Sequence, residues 1–317
     1  MNRSDAKDIN LYKEVLFGVF ATLLIFLISV GFMPVFGVLI PVPVLVLRVK
    51  LGHKGGVYTA FASAFIFILL MKSIALHPID VIFLIGLIAL GLAIAEQLEK
   101  SGSVDRIVLR STAIVIIGGF ALFFLYSMIE SKGIATLFSD YMTEKLKIRL
   151  NQMEMPEKNI YEIVDFLENH KSEWIKILPA ITISSVLVVS WVSVLASRMF
   201  FRRLKIRHND IGKLNCWKAP EQLIWGLIAS GVFVMLPGEN IKLLGFTGIM
   251  ILLTVYFFQG IAIIAYFIES KQLNPAIRFF IFGVIALMPL VQLFISGIGV
   301  FDLWLDFRKL TKKSEPL

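Results

Sequence analysis

The chain lacks most of the residues that carry protein chemistry. It has one cysteine, Cys216, so no disulfide can form within it. Its four histidines are scattered, and no pair of Cys or His at helical spacing offers a metal-ligand set. Metal and redox chemistry are therefore not expected. There is no phosphate-binding glycine loop of the P-loop type, no paired-histidine zinc helix, and no set of nucleophile, base and orienter. These absences predict a protein without catalytic residues, without a cofactor and without a metal, hence not an enzyme. Apolar segments hold no chain of carboxylates, which argues against a proton relay and so against a proton-driven pump.

Charge is scarce as well. Only 17% of the 317 residues are charged, whereas globular domains run near about a quarter. What replaces it is apolar: 57% of residues are hydrophobic and the mean hydropathy is +0.82, so the solvent for most of the chain is lipid. The net charge of +8 sits in short loops between apolar segments. That distribution marks one face of a membrane and not a nucleic-acid footprint, so no nucleic-acid partner is expected. Arg3, Lys7 and Lys13 precede an apolar run from Val15 to Met33 that is too long for a signal-peptide core and has no small-x-small cleavage site after it. It reads as an uncleaved first span.

Segments long enough to cross a bilayer, about 20 residues each, fall near 13–32, 55–75, 79–97, 109–129, 175–199, 220–237, 242–268 and 276–299. A ninth candidate, 33–48, carries Pro41 and Pro43 in "LIPVPVLVLRVKLGHKGG". About 15 residues of helix reach only about 22 Å, so it is a short crossing or a re-entrant loop. If it crosses, Arg48, Lys50, Lys54, Lys100, Arg106, Arg110, Arg198, Arg202, Arg203, Lys205, Arg207, Lys213 and Lys218 all lie on the N-terminal side, which positive-inside places in the cytoplasm. Crossing is the favoured reading, with the prolines breaking the segment and Gly55 and Gly56 permitting the turn into the next span. The cost is that nine spans put the tail with Arg308, Lys309, Lys312 and Lys313 outside, so the count stands at eight or nine. The expected fold is all-α: a polytopic transmembrane helix bundle with a helical extracytoplasmic insert.

One integral membrane domain is expected over 1–317. It comprises first spans over 1–129, a polar cap over 130–174, further spans over 175–299 and a polar tail over 300–317. In the cap, Met142, Leu146, Leu150 and Met153 recur at helical spacing, and after Pro156 so do Ile160, Ile163, Val164 and Leu167. Two amphipathic helices joined at a proline follow, resting on the spans or the bilayer surface, or closing as a lid over a cavity.

Polar residues within spans are the first places to look for function. Gln259 sits in "TVYFFQGIAIIAYF", Gln292 in "ALMPLVQLF", and Ser190 and Trp191 with Ser193 in "VVSWVSVL". With Pro41 and Pro43 of the broken segment, they are the candidate substrate-binding residues, although a neutral amide at mid-depth also serves to bridge helices. Lys72, His77, Asp80 and Glu96 lie near segment ends, where interfacial placement explains them. In "GLIALGLAIA", Ala89 with Ala93 and Gly91 with Ala95 are four apart, and each pair lets another helix approach, either within the bundle or from a partner subunit. "LNCWKAPEQLIW" enters a span from the basic loop, with Pro220 and Glu221 suited to a first helical turn and Trp217 and Lys218 to the interface.

The stretch "PVFGVLIPVPVLVLRVKLGHKGG", the "WKAPEQLIW" segment, the long polar insert and the closing "GVFDLWLDFRKL" together resemble the YybS-like family of bacterial polytopic membrane proteins. The first two hundred residues resemble, more loosely, the substrate-binding membrane subunits of energy-coupling factor transporters. That likeness implies an outward-opening small-molecule pocket and docking of a transmembrane coupling subunit with ATPases. The chain differs from it in three further spans and in the absence of an Ala-xxx-Ala pattern from "KEVLFGVFATLLIFLISV".

Two functions are therefore expected in competition. One is a bacterial inner-membrane protein, N-terminus cytoplasmic, that binds a small organic molecule and contributes to its uptake. The other is a scaffold or assembly factor that recruits cytoplasmic partners through its basic loop, with Arg202, Arg203 and Lys205 as docking residues. Uptake needs a polar cavity around Gln259, Gln292, Ser190 or the broken segment. A scaffold can fill that space with apolar side chains.

Overall fold

The computed structural model describes residues 3–31, 34–70, 76–100, 102–152, 157–207, 209 and 212–309. Lys72, Met153, Pro156, Lys312 and Lys313 lie outside them. Every regular element among the described residues is helical. The chain forms two compact units, one of residues 1–178 with 188–210 and one of residues 179–187 with 211–317.

The first unit opens with α1 (Arg3–Gly31), a 3-10 helix (Pro34–Leu39) and α2 (Pro41–Leu70). The prolines do not break α2. Pro41 and Pro43 stand in its first turn, where a missing N–H removes no bond, so they start the helix. The break comes at Gly52, with φ 77° and ψ −169°, a conformation reserved for glycine. Residues eight apart in a straight helix are separated by about 12 Å. Here a Cβ on Gly56 would lie 2.9 Å from Cα of Arg48, so α2 folds back on itself as two antiparallel legs, 41–51 and 53–70. Gly55 and Gly56 stay helical; their lack of a side chain lets the second leg lie against Leu51 and Arg48.

Residues 34–51 cover the same depth as α1. Lys50 pairs with Glu14 at one end (2.6 Å) and Gly37 lies beside Ser29 at the other. Six residues of 3-10 helix and eleven of α-helix together reach about 28 Å, which explains how so short a segment crosses. Phe26, Ile40, Val44, Ala60 and Phe67 form the core between these legs, with Leu84 and Ile88 of α3 (Pro78–Lys100). Phe26 and Phe67 meet edge to face with ring centroids 4.9 Å apart.

α4 (Val104–Glu130) returns beside α3, the insert forms α5 (Ile134–Gln152) and α6 (Glu157–Asn169), and α7 (Lys171–Leu204) follows. The two insert helices are those expected from the spacing of Leu146, Leu150, Ile160 and Val164. α5 starts earlier, at Ile134, where Leu137 is buried with Leu150.

In the second unit, a short 3-10 helix (Leu214–Cys216) precedes α8 (Leu223–Met235), α9 (Glu239–Ser270), α10 (Pro275–Leu287) and α11 (Pro289–Leu305). α8 begins three residues after Pro220, so Pro220 and Glu221 sit in the turn before the helix and not in its first turn. α8 and α9 run antiparallel: a Cβ on Gly245 would lie 2.7 Å from both the carbonyl oxygen of Ser230 and the amide of Val234. Gly260 and Gly299 allow backbone contact between α9 and α11, since a Cβ on either would overlap the carbonyl of Ile295 or Tyr256. α10 and α11 bend by 102° at Pro289.

Among the described residues, six helices are long and apolar enough to cross a membrane, or seven if the bent pair α10–α11 is one span. One of the six, Val35–Leu70, contains both legs of the Gly52 hairpin. α8, at 13 residues, is a shorter apolar helix. The fold is thus an all-α polytopic bundle with a helical insert, and the expected eight or nine apolar segments are accounted for. One boundary shifts: residues 300–309, expected to open a polar tail, extend α11 to Leu305 and place Arg308 only 3% exposed.

Candidate functional site

The first unit has two polar ends. At the Gly52 end, Arg48 is buried and donates through both terminal nitrogens to Glu99, at 2.7 and 3.0 Å, with Glu96 at 3.6 Å. Glu96 also pairs with Lys100 (2.7 Å), one turn away, and Glu14 with Lys50. After α7 the chain is tied to the same end, because Asn209 donates to the carbonyls of Leu98 and Glu99. The carboxylates of Glu14, Glu96 and Glu99 are thus paired, although they remain partly exposed. Lys54, Arg106, Arg110, Arg202, Arg203, Lys205 and Arg207 stay exposed. Lys205 adopts a left-handed conformation as the C-cap of α7, which ends the helix just after Arg202 and Arg203. The result is a basic face on a rigid set of helix ends.

At the opposite end of α3, about 28 Å away along its axis, Asp80 holds the insert. It accepts from Tyr141 Oη and from Lys145 Nζ, both at 2.6 Å, and from the backbone amide of His77 at 2.9 Å. The His77 and Tyr141 rings lie 5.1 Å apart. Burial, then the bond to Asp80, holds the Tyr141 hydroxyl well above the usual phenol range. This cluster latches α5 onto the start of α3.

The second unit carries a buried ionic network. Arg308 and Asp302 are both fully desolvated and meet at 2.8 Å. Arg308 also donates at 2.9 Å to the carbonyls of Asn215 and Trp217, while Asp302 accepts from Gln259 (3.1 Å) and from the amide of Phe307 (3.0 Å). The other end of Gln259 accepts from the amide of Ala219 at 3.1 Å. Lys218 pairs with Asp306 at 2.9 Å, and Asn215 bonds Glu269. These bonds fasten the loop before α8 to α9 and to the end of α11.

The candidate substrate-binding residues divide between the two units. Within the first unit, Ser190 bonds Thr112 across α4 and α7 at 3.1 Å, with Trp191 buried beside it. Pro41 meets Gly91, whose Cβ would overlap its carbonyl. Pro43, two residues on, is half-buried. In the second unit, Gln259 belongs to the ionic network, and Gln292 donates to the carbonyls of Ile285 and Ala286 (3.1 and 3.2 Å) that the bend at Pro289 frees. Among the small residues, Gly91, Ala93 and Ala95 are buried in the first unit and Ala89 is exposed.

Asp302 and Arg308 lie beyond 276–299, the last apolar segment that the sequence predicts. A carboxylate flanked by Phe301, Leu303 and Trp304 was the available signal, since an ionisable group in apolar sequence must find a partner. The contacts of Arg48 with Glu99 and of Asp80 with Tyr141 and Lys145 link residues dozens of positions apart, and no local pattern announces them.

Neither the curated proteins nor the solved structures hold a match to this chain. The model of the family described as "Predicted membrane protein (DUF2232)" matches residues 19–303, from within α1 to within α11, so it covers most of both helical units and the chain belongs to that membrane-protein family.

Proposed function

We propose that this protein is a multi-pass membrane scaffold of the bacterial inner membrane that recruits an acidic cytoplasmic partner on the face bearing Arg202, Arg203 and Lys205. One observation carries the reading: at the Gly52 end of the first unit Glu14, Glu96 and Glu99 are neutralised by ion pairs with Lys50, Lys100 and Arg48, while Lys54, Arg106, Arg110, Arg202, Arg203, Lys205 and Arg207 stay exposed. Such a face steers an acidic partner and discriminates against basic ones. Positive-inside places this end, and the N-terminus with it, in the cytoplasm and the insert outside. The polar groups of Gln259, Gln292 and Ser190 serve helix-to-helix and helix-to-loop bonds, as a filled scaffold requires. No catalytic role, cofactor or metal is assigned.

Uptake of a small organic molecule is the second reading. Ser63, Ser111 and Ser193 favour it, because their buried hydroxyls in the first unit have no partner among the described residues and remain available to a polar guest. The resemblance to energy-coupling factor subunits supports it too, with Ala89 as a surface for a coupling subunit.

Affinity purification from native membranes in mild detergent, with mass spectrometry of proteins and extracted metabolites, separates the two. The scaffold predicts soluble acidic partners that are lost when Arg202, Arg203 and Lys205 are changed to Glu. A transmembrane coupling subunit with ATPases, or one stoichiometric metabolite retained by that variant, would sink the scaffold in favour of uptake.

A further inference from the structure

Where α1 passes the Gly52 turn, the first unit has an open cleft of about 1180 Å³ lined by Asn10, Leu11, Lys13, Glu14, Phe17, Lys50, Leu51, His53 and Lys54. We propose that this cleft binds an anionic glycerophospholipid, its phosphate held by Lys13 and Lys54.

Three features converge on that ligand. The lining changes character along α1. Phe17 projects 69% exposed among the apolar residues of the span, whereas Asn10 and Lys13 stand at its margin, where the apolar stretch Asn10–Val30 begins. Asn10 and Phe17 are about 10 Å apart along the axis, so acyl-chain contacts at Phe17 and Leu51 lie one headgroup's depth from the polar residues. Charge is the second feature. Glu14 is satisfied by Lys50 at 2.6 Å, which leaves Lys13 and Lys54 exposed with no ion pair among the described residues, and His53 beside them. Two uncompensated ammonium groups suit a single phosphate anion better than a zwitterion, whose positive end they repel. The third is backbone geometry. Because Gly52 reverses the chain, Lys50 and Lys54 leave the turn on either side of it and face α1 from two positions.

A soluble phosphate ester has the same anionic group but no chains, and for it Phe17 and Leu51 do nothing. The cleft is remote in sequence from Arg202, Arg203 and Lys205, so the proposal stands or falls separately from the scaffold reading.

The test is native mass spectrometry of the delipidated full-length protein titrated with phosphatidylglycerol, with phosphatidylcholine and with glycerol 1-phosphate. Wild type is expected to retain one phosphatidylglycerol in preference to phosphatidylcholine. Each of Lys13→Gln and Lys54→Gln should weaken that binding about fivefold, and both substitutions leave exposed surface that folding does not need. Arg106→Gln with Arg110→Gln, at the same end but outside the cleft, should change nothing. Equal weakening by the Arg106 and Arg110 substitutions would mean diffuse attraction to a basic surface and would overturn the site. Binding of glycerol 1-phosphate as tight as that of the lipid would overturn the lipid assignment.

Discussion

Asp302 and Arg308 show how much one side chain can decide in this protein. Removing one member of a fully desolvated pair leaves the other charged and unmatched, which costs about 3–5 kcal/mol, whereas replacing both with apolar groups of similar volume is far milder. We expect Arg308→Met to lower the thermal midpoint in detergent strongly, and Asp302→Leu with Arg308→Met to recover most of the loss. Equal losses in the single and double variants would show that the bonds from Arg308 to Asn215 and Trp217 matter more than the ion pair. The sequence pointed to Gln259, because a primary amide in an apolar run stands out. It could not supply the amide's partners, since Ala219 and Asp302 lie 40 and 43 positions away. Gln292 was visible for the same reason, yet its bonds are local and repair the bend at Pro289.

At the scale of the element, α2 is the instructive case. Its prolines predict a break at 41–43, but a proline in a first helical turn is benign, and the break needs a residue able to take φ 77° and ψ −169°. A Cβ at Gly52 would meet nothing within 4 Å, so Gly52→Ala tests backbone strain alone, with an expected loss of about 1–3 kcal/mol. Gly118→Ala, equally open but within helix α4, should be neutral or gain up to about 1 kcal/mol. Comparing the two midpoints in detergent checks both values. The insert offers a pH test. Tyr141 holds its proton more tightly folded than unfolded, so its contribution is complete below the ordinary phenol pKa of about 10 and is lost as pH rises toward the folded value. Ultraviolet titration should show Tyr141 ionising above the ordinary phenol range, and Tyr141→Phe should reduce the late amplitude by one tyrosine. If the substitution leaves the titration curve unchanged, the Tyr141 hydroxyl is not held by Asp80.

On the scale of the whole molecule, the alternation of α1, the two legs of α2, α3, α4 and α7 puts the basic turns at one end of the first unit and the insert at the other. In a Cys216→Ser background, cysteines placed at Lys54 and Arg203 should be labelled by an impermeant reagent only in opened cells, and one placed at Asp140 in intact cells. Labelling of Lys54→Cys and Asp140→Cys from the same side would overturn this alternation. Composition by itself determined that the chain lives in lipid and is helical, since apolar runs of span length leave the backbone no other way to satisfy its bonds. Local spacing likewise determined the two insert helices, because Leu146, Leu150, Ile160 and Val164 repeat with the helical period. Only the tertiary structure decided which polar groups meet. Arg48 with Glu99, Asp80 with Tyr141 and Asp302 with Gln259 are pairings across many residues; a polar group shielded from water gains by finding a partner, and it is the packing of the helices that selects which one.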